Sequence, residues 1–299
     1  MTSTLLTALI LASLLDEAVV QAFLGHVQSQ KITQTRLQST LFNDAATLST
    51  GDSVISNIDN SPYLLFPGGG LFFYWQAGVV SYLREQDRYN LDNVRLGGAS
   101  AGALTATLTA ANVDFYEATE SALLLAKDAG VWDRSGGLQG IWGPMIENWL
   151  DELLPDDVLE RVNGRLSLLV TEIPSFSKTR VDTFQSRKDL IDCNMASVHL
   201  PWFLDGKLTA RFREAEHIDG SFFSQVSDYG VTTNDRIIMP DYQEDPAMDL
   251  PFFDFVSTVS PDSIYEMLEK GKAHAKVMEE QGQFKDIDVA ELRSIQSKL

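Results

Sequence analysis

The stretch that decides the fold is Leu96-Gly97-Gly98-Ala99-Ser100-Ala101-Gly102-Ala103-Leu104, with Ser100 at its centre. Residues 93–96 before it are typical of a short strand, and residues 101–111 after it are rich in helix formers. Gly-x-Ser-x-Gly at 98–102 therefore predicts a sharp turn from a strand into a helix, with the serine hydroxyl above the sheet. The free N–H groups of a helix N-terminus favour developing negative charge there. The pattern indicates a nucleophile at Ser100, and a tight packing turn is the alternative.

The segments around this turn predict an α/β fold. Residues 63–66 predict a buried strand that runs into a glycine turn, and residues 71–85 then predict a buried helix. Two consecutive strand–turn–helix units are typical of a parallel sheet covered by helices. Further along, the pattern predicts helices at 115–127, 142–154, 187–195 and 263–280, and strands at 166–172, 180–184, 208–212, 236–239 and 252–256.

Composition limits the possible partners. The chain has 299 residues, and 42 acidic against 23 basic side chains give a net charge of −19. This balance argues against a nucleic-acid partner and against electrostatic docking on anionic lipid. The single cysteine, Cys193, excludes an internal disulfide and argues against a cysteine-based metal site. No apolar run reaches the roughly 20 residues of a spanning helix, so no transmembrane helix is expected.

The two ends of the chain carry conflicting targeting signals. We expect a targeting or disordered segment at 1–55, a catalytic domain at 56–260 and a helical segment at 261–299. Residues 4–15 resemble the apolar part of a signal peptide, which favours a secretory or plastid route, and an amphipathic tail is the alternative. The C-terminal Ser297-Lys298-Leu299 matches the peroxisomal tripeptide. We favour the peroxisome, with cytoplasm or a lipid droplet also open.

The triple glycine Gly68-Gly69-Gly70 follows the first predicted strand. Successive glycine N–H groups can converge on an anion, as an oxyanion hole requires. A dinucleotide-binding fingerprint would need a third glycine at position 73, where Phe73 is bulky, and no Gly-Lys-Ser/Thr follows for a P-loop. An oxyanion hole fits better than the alternatives, a phosphate-binding turn or a plain bend.

A base for Ser100 is sought first among the histidines. A hydrolase triad in the order serine, acid, histidine fits none of them, because two precede the best acid, one lies in the N-terminal segment and one on a charged helical face. These are His199, His217, His26 and His274. The acid is Asp219, which follows an apolar residue and precedes a glycine, as an acid at a strand end would. An ordinary Asp-Gly turn is the alternative.

Taken together, these segments resemble the patatin-like phospholipase family, and especially its adiponutrin and triglyceride-lipase branch, over residues 63–227. The matching parts are the nucleophile elbow at 98–102, the glycine-rich oxyanion segment at 68–70 with Gly78, the Asp-Gly motif at 219–220, and the segments 186–191 and 196–201 that precede it. The chain differs at Phe72-Phe73, where many patatins carry Arg-Gly, and at Ser221, where the family motif continues with glycine or alanine.

The resemblance implies a patatin-like three-layer fold, with a mainly parallel central sheet flanked by helices. It implies a dyad of Ser100 as nucleophile and Asp219 as general base, and an oxyanion hole formed by Gly68, Gly69, Gly70 and Ala101. The implied activity is hydrolysis of glycerolipid or phospholipid esters at a membrane or lipid-droplet surface, in lipid catabolism, without metal or cofactor. An acyl transferase using the same acyl-enzyme and a catalytically weak lipid-binding protein are the alternatives.

Overall fold

The computed structural model describes residues 61–232, 234–248 and 258–289. Within them, the strands are β1 (Tyr63–Phe66), β2 (Arg95–Gly98), β3 (Leu166–Ile173), β4 (Lys178–Val181), β5 (Ala210–Phe212), β6 (Ala215–Ile218) and β7 (Ile237–Ile238). The helices are α1 (Phe73–Glu85), α2 (Ala101–Ala110), α3 (Phe115–Asp128), α4 (Trp142–Leu153), α5 (Val158–Val162), α6 (Arg187–Ser197) and α7 (Pro261–Glu280). The predictions for residues 1–55, for a strand at 252–256 and for the C-terminal tripeptide lie outside the described residues.

The described strands form one mixed sheet. Hydrogen-bonded neighbours run in the order β5-β6-β3-β2-β1-β7, and β4 also pairs with β3. The pairs among β7, β1, β2 and β3 are parallel, whereas β4, β6 and β5 join by antiparallel pairing. The predicted α/β class is confirmed. The parallel part carries the turn at Ser100, and the antiparallel part carries Asp219.

The strands β2 and β6 meet end to end along one edge of β3. Leu168 of β3 pairs with Gly98 of β2 and with β4, so β2 and β4 lie on opposite edges. Thr171 pairs with Ile218 of β6 and again with β4, so β6 shares the edge of β2. Because β6 runs antiparallel to β3 and β2 runs parallel to it, their C-terminal ends point at each other. This topology brings the residues that follow the two strands together.

The two faces of the sheet are covered unequally. Successive residues of a strand point to opposite faces. Leu64 and Phe66 of β1 join a large core cluster to which the helices contribute. Tyr63 and Leu65 join a small cluster that includes Tyr229 of the 3₁₀ turn Val226–Tyr229. The sheet therefore lies between a thick helical layer and a thinner layer of loop and turn.

Local signals explain where the helices begin. The side chain of Asp114 accepts hydrogen bonds from the N–H groups of Tyr116 and Glu117 and caps α3. Ser260 caps α7 in the same way, with Pro261 in the first turn. The helix therefore begins two residues before the predicted start at Ser263.

Several strand boundaries differ from the predicted ones, and β6 at 215–218 and α5 at 158–162 were not predicted. Strand β2 covers 95–98 rather than 93–96, because the glycines continue the strand instead of opening the turn. Gly97 lies against the Tyr63 phenol, where a Cβ would come within 2.4 Å of the Tyr63 Oη. Strand β4 begins at Lys178 rather than at residue 180, because the connection after β3 spans only residues 174–177.

Gly78 belongs to a helix crossing. A Cβ at Gly78 in α1 would lie 1.9 Å from the carbonyl oxygen of Leu268 in α7. A Cβ at Gly271 in α7 would lie 1.9 Å from the carbonyl oxygen of Trp75 in α1. The two backbones touch, so neither position has room for a side chain. The sequence match groups Gly78 with the oxyanion segment, but in the structure this residue serves the packing of α1 on α7.

Candidate active site

Ser100 sits in a strained turn between β2 and α2. Its backbone has φ 55° and ψ −129°, a combination that residues with a Cβ rarely adopt. The turn closes because the residues two positions before and after Ser100 are glycines. A Cβ at Gly98 would lie 2.0 Å from the carbonyl oxygen of Gly102, and one at Gly102 would lie 2.0 Å from that of Phe66. The local sequence therefore builds the sharp elbow that the pattern predicted.

Asp219 follows β6 directly, and its carboxylate meets the Ser100 hydroxyl. The Ser100 Oγ donates to the Asp219 Oδ2 at 2.6 Å. The Asp219 residue is 1% exposed and Ser100 is 8% exposed. The structure thus brings together the two residues that the sequence proposes as nucleophile and base, although 119 positions separate them. A buried hydroxyl that donates to a carboxylate has the geometry that proton removal requires.

The second oxygen of Asp219 is occupied by Ser221. The Asp219 Oδ1 accepts from the Ser221 N–H at 2.8 Å and from the Ser221 Oγ at 2.6 Å. Burial raises the pKa of Asp219 above its ordinary value, because a charged carboxylate is poorly solvated inside a protein. The donors Ser100 and Ser221 and the nearby Lys178 act in the opposite direction and favour the ionised form. Ser221, which differs from the usual glycine or alanine, therefore holds the carboxylate in its orientation.

Ser197 joins the elbow to the Asp-Gly turn. Its Oγ accepts from the Ser100 N–H at 3.0 Å and donates to the carbonyl of Leu169 at 2.7 Å. Its carbonyl accepts from the Gly220 N–H at 3.0 Å. Ser197 is fully buried at the end of α6. One side chain and one carbonyl group therefore connect both halves of the site, a role that sequence reasoning missed.

The triple glycine lies beside the elbow. A Cβ at Gly68 would come within 2.5 Å of the Ser221 Cβ and 3.2 Å of the Ser100 Cβ. Gly70 has φ 54°, in the left-handed region that favours glycine. Among the described residues, the N–H groups of Gly68, Gly69, Gly70 and Ala101 have no hydrogen-bond acceptor. The structure places Gly68 against Ser100, with Gly69 and Gly70 next in the chain, and the oxyanion role of these N–H groups stays a prediction.

A buried amide bridge holds the glycine loop in place. The Gln76 Nε2 donates to the carbonyl of Pro67 at 2.7 Å, just before the loop. The Thr105 Oγ1 in α2 donates to the Gln76 Oε1 at 2.8 Å. Both side chains are fully buried. The signal for this bridge was a glutamine in an otherwise apolar helical segment, and sequence reasoning missed it.

The bulky pair Phe72-Phe73 packs beneath the loop. The Phe72 ring stacks on Tyr242 with centroids 3.8 Å apart, and the Phe72 N–H donates to the carbonyl of Gly69 at 3.0 Å. The Phe73 ring meets Trp149 edge-on at 5.5 Å. Both phenylalanines are buried. The departure from Arg-Gly is therefore accommodated by the core, and the turn at Gly69 still closes.

None of the described histidines is bonded to the serine or to the acid through its side chain. The His199 Nε2 faces the carbonyl of Lys207 at 3.3 Å, and the buried His217 Nδ1 has no partner. Burial lowers the pKa of both imidazoles. His274, expected on a charged helical face, instead packs on Trp75 with its Nδ1 3.6 Å from the Asp245 Oδ1. His26 lies outside the described residues.

An apolar groove begins at the glycine loop. It contains about 780 Å³ of free space, counting the solvent at its mouth. Gly70 and Leu71 line one part, and Leu104, one turn after the elbow, lines another. The other lining side chains are mainly apolar or aromatic and include Leu123, Trp142, Met145, Ile146 and Trp149. Ser100 is not among the lining residues, and the groove comes nearest to it in the chain at Gly70 and Leu104.

In residues 61–232, 234–248 and 258–289, no group of three or more His, Cys, Asp or Glu side chains is arranged to hold a metal ion. Over the same ranges, every helix is too short or too polar to span a membrane.

The family comparison defines the class of protein. The profile of the patatin-like phospholipase family matches residues 64–227, which is more than half of the chain. The chain therefore belongs to the patatin-like phospholipase family, and the predicted resemblance and fold class are confirmed. The matched range begins in β1 and ends after Asp219, so it contains the glycine loop, the elbow and the acid.

Individual relatives match at lower coverage. Patatin-like phospholipase domain-containing protein 2 of Homo sapiens is 29% identical over 55% of this chain and 33% of its own length. Omega-hydroxyceramide transacylase of Homo sapiens is 26% identical over 57% of this chain and 32% of its own length. The chain spans about a third of the length of these relatives. The crystal structure of VipD from Legionella pneumophila overlaps 67% of this chain and 55% of its own, with 13% identity and a TM-score of 0.36.

Proposed function

We propose that this protein is a serine hydrolase of lipid esters, with Ser100 as nucleophile and Asp219 as general base. The observation that carries the proposal is the 2.6 Å hydrogen bond from the Ser100 Oγ to the Asp219 Oδ2 at a strained elbow. Membership of the patatin-like phospholipase family supports an activity of the lipid hydrolase or acyl transferase type.

The proposed reaction has two steps. The Ser100 Oγ attacks the ester carbonyl carbon while its proton passes to the Asp219 Oδ2, and the negative charge moves to the carbonyl oxygen. The N–H groups of Gly69, Gly70 and Ala101 are the donors for this oxyanion. The tetrahedral intermediate collapses to an acyl-enzyme, and the leaving alkoxide takes the proton back from Asp219. Water then attacks the acyl-enzyme while Asp219 takes its proton, and that proton passes to the departing Ser100 Oγ, which releases the fatty acid and regenerates the free enzyme.

Burial of the acid suits this role. An ordinary aspartate is a weak base toward an alcohol, and a raised pKa increases its proton affinity. The pKa of Asp219 is raised mainly by burial, while its hydrogen bonds to Ser100 and Ser221 limit the increase. A carboxylate held in this way can serve both as an ionised base at neutral pH and as a proton donor to the leaving group.

The groove indicates an acyl substrate. Each buried methylene group of a fatty chain contributes about 0.8 kcal/mol. A chain bound along Leu71, Leu104 and Ile146 would leave its ester group near the glycine loop. We propose glycerolipid or phospholipid esters as the substrate class, met at a membrane or lipid-droplet surface.

Transfer to an alcohol is the second candidate function. It needs the same acyl-enzyme and differs only in the acceptor, which would be an alcohol or a lysolipid instead of water. Two relatives are named for acyl transfer, omega-hydroxyceramide transacylase and the 1-acylglycerol-3-phosphate O-acyltransferase PNPLA3 of Homo sapiens, which is 25% identical over 54% of this chain. The third candidate function is lipid binding by a catalytically weak protein. The features that favoured it, Phe72-Phe73 and Ser221, are packed or hydrogen-bonded without displacing the dyad.

A lipid panel tests the proposal. Wild-type protein, Ser100→Ala and Ser81→Ala are incubated with triacylglycerol, phospholipid and galactolipid, with and without a lysolipid acceptor. Ser81 lies in α1 and is 8% exposed, like Ser100, so Ser81→Ala is a matched control. We expect free fatty acid from wild type and Ser81→Ala and none from Ser100→Ala. A diacyl product at the expense of fatty acid would favour transfer, and lipid binding without any product would contradict both reactions.

A further inference from the structure

A lysine lies behind the proposed dyad. Lys178 opens β4 and pairs with Thr171 of β3. Its ammonium donates to the Thr171 Oγ1 at 2.7 Å, to the carbonyl of Gly220 at 3.3 Å and to the carbonyl of Phe222. The Thr171 Oγ1 in turn donates to the carbonyl of Asp219 at 2.9 Å. All of these contacts converge on the main chain of residues 219–222, the turn that orients the Asp219 carboxylate.

The charges around this ammonium are few. Asp219 and Asp228 are the carboxylates that attract it. Arg180, two residues further along β4, pairs with Asp182 at 3.0 Å and so is already neutralised by a carboxylate of its own strand end. Tyr229, which also faces Asp219, is buried, and burial raises the pKa of its phenol, so it carries no charge at neutral pH. Lys178 is therefore the cation that faces Asp219 from β4.

We propose that Lys178 is a positioning residue for Asp219: its hydrogen bonds fix the turn at 219–222, and its positive charge keeps the buried carboxyl group ionised. The physical reason is that a buried carboxylate without an opposite charge tends to take up a proton. The inference rests on the proposed function and deepens it, because an ionised Asp219 is the form that acts as a base.

The same arrangement predicts an upper pH limit. Burial lowers the pKa of Lys178 to about 8, despite the attraction of Asp219 and Asp228. Above that pH the ammonium loses its proton, and the turn then loses a charge and a donor. Activity should therefore fall in weakly alkaline solution. The variant Lys178→Arg keeps its charge to higher pH, so this alkaline decline should move upward or disappear.

The test measures the titration of Asp219 directly. Protein labelled with ¹³C at the aspartate carboxyl groups is titrated and followed by NMR, and Asp219→Asn assigns the signal. The variants are Lys178→Met, Lys178→Arg and, as a control, Lys272→Met. Lys272 is also partly buried, but its ammonium pairs with Glu85 on the crossing of α1 and α7. If Lys178→Met does not fold, Lys178→Gln replaces it, because its amide can still donate to the carbonyl of Phe222.

We expect Lys178→Met to raise the pKa of Asp219 by about one unit or more, while Lys178→Arg and Lys272→Met leave it near the wild-type value. At pH values below the pKa of Asp219, the rate at which Ser100 is acylated should then fall about tenfold. An unchanged Asp219 titration in a folded Lys178→Met protein would overturn the inference. The titration needs no turnover. An inactive wild-type protein would therefore contradict the proposed function, and the Asp219 signal would still decide the role of Lys178.

Discussion

Replacement of Ser197 by alanine tests how the strained elbow is held. The Ser197 hydroxyl accepts from the Ser100 N–H at 3.0 Å and donates to the carbonyl of Leu169 at 2.7 Å, with no exposed surface. Ser197→Ala removes both bonds and opens no room for a replacement water, because it deletes a single oxygen. A buried donor and a buried acceptor are then left without partners.

The structure gives the size of the effect. Each unsatisfied buried backbone group costs about 1–3 kcal/mol, so the loss of partners for two groups should lower the unfolding free energy by about 2–6 kcal/mol. The loss at the active site follows from the Ser100 backbone, whose φ of 55° is held by this bond. Relaxation of the elbow would move the Ser100 Oγ away from Asp219. A displacement of about 1 Å lowers the rate of an oriented reaction by about 10²-fold.

Two assays separate stability from positioning. Urea denaturation gives the change in unfolding free energy, and the rate of fluorophosphonate labelling of Ser100, measured well below the transition, gives the effect on the elbow. The control is Thr119→Val, because the Thr119 hydroxyl is equally buried but donates only to the carbonyl of Phe115 within α3. We expect Thr119→Val to label like wild type. If folded Ser197→Ala labels at the wild-type rate with unchanged stability, the role assigned to Ser197 is refuted.

Three further variants test the hydrogen bonds of Asp219, the crossing of α1 and α7, and the apolar groove. Ser221→Ala removes the 2.6 Å bond that stabilises the ionised Asp219, so the pKa of Asp219 should rise and the acid limb of the pH–rate profile should move to higher pH; an unmoved limb would contradict this. Gly78→Ala should lower stability by about 1–3 kcal/mol, seen as a lower urea midpoint, without slowing Ser100 labelling of the folded protein. Leu123→Trp narrows the groove and should lower the ratio of kcat/KM for C16 esters to kcat/KM for C4 esters about tenfold, which corresponds to the loss of about two buried methylene groups. The control Leu124→Trp changes an exposed neighbour and should leave this ratio unchanged, so equal effects of the two variants would argue against an acyl groove.

The parts of the site that could be predicted from the sequence are those where the backbone geometry permits only one kind of residue. The elbow could be predicted because its turn has no room for a Cβ at Gly98 or Gly102, and this requirement is visible in the pattern. The choice of Asp219 over the histidines also followed from position, since an acid at a strand end projects from the edge of a sheet. The head-to-head ends of β2 and β6 supply the physical reason that these two positions meet.

The supporting contacts could not be predicted in the same way. The bonds of Ser197 to Ser100 and of Lys178 to the turn at 219–222 cross 97 and about 40 positions of sequence. They depend on the registers of β3 with β4 and β6, which local patterns do not determine. The predicted start of β4, residue 180, lies two residues after the observed start at Lys178 for the same reason. At Gly78 the sequence indicated a close contact but not its partner, because a glycine shows only that another part of the chain comes near.

The central claim is that Ser100 is activated by Asp219. Its most direct test is the rate at which a fluorophosphonate forms an adduct with wild type, Asp219→Asn and Ser100→Ala, followed by mass spectrometry with the labelled peptide identified. We expect one adduct on Ser100 in wild type, formation about 10²–10⁴-fold slower in Asp219→Asn, and no adduct in Ser100→Ala. An adduct on another residue, or labelling of Asp219→Asn at the wild-type rate, would contradict it.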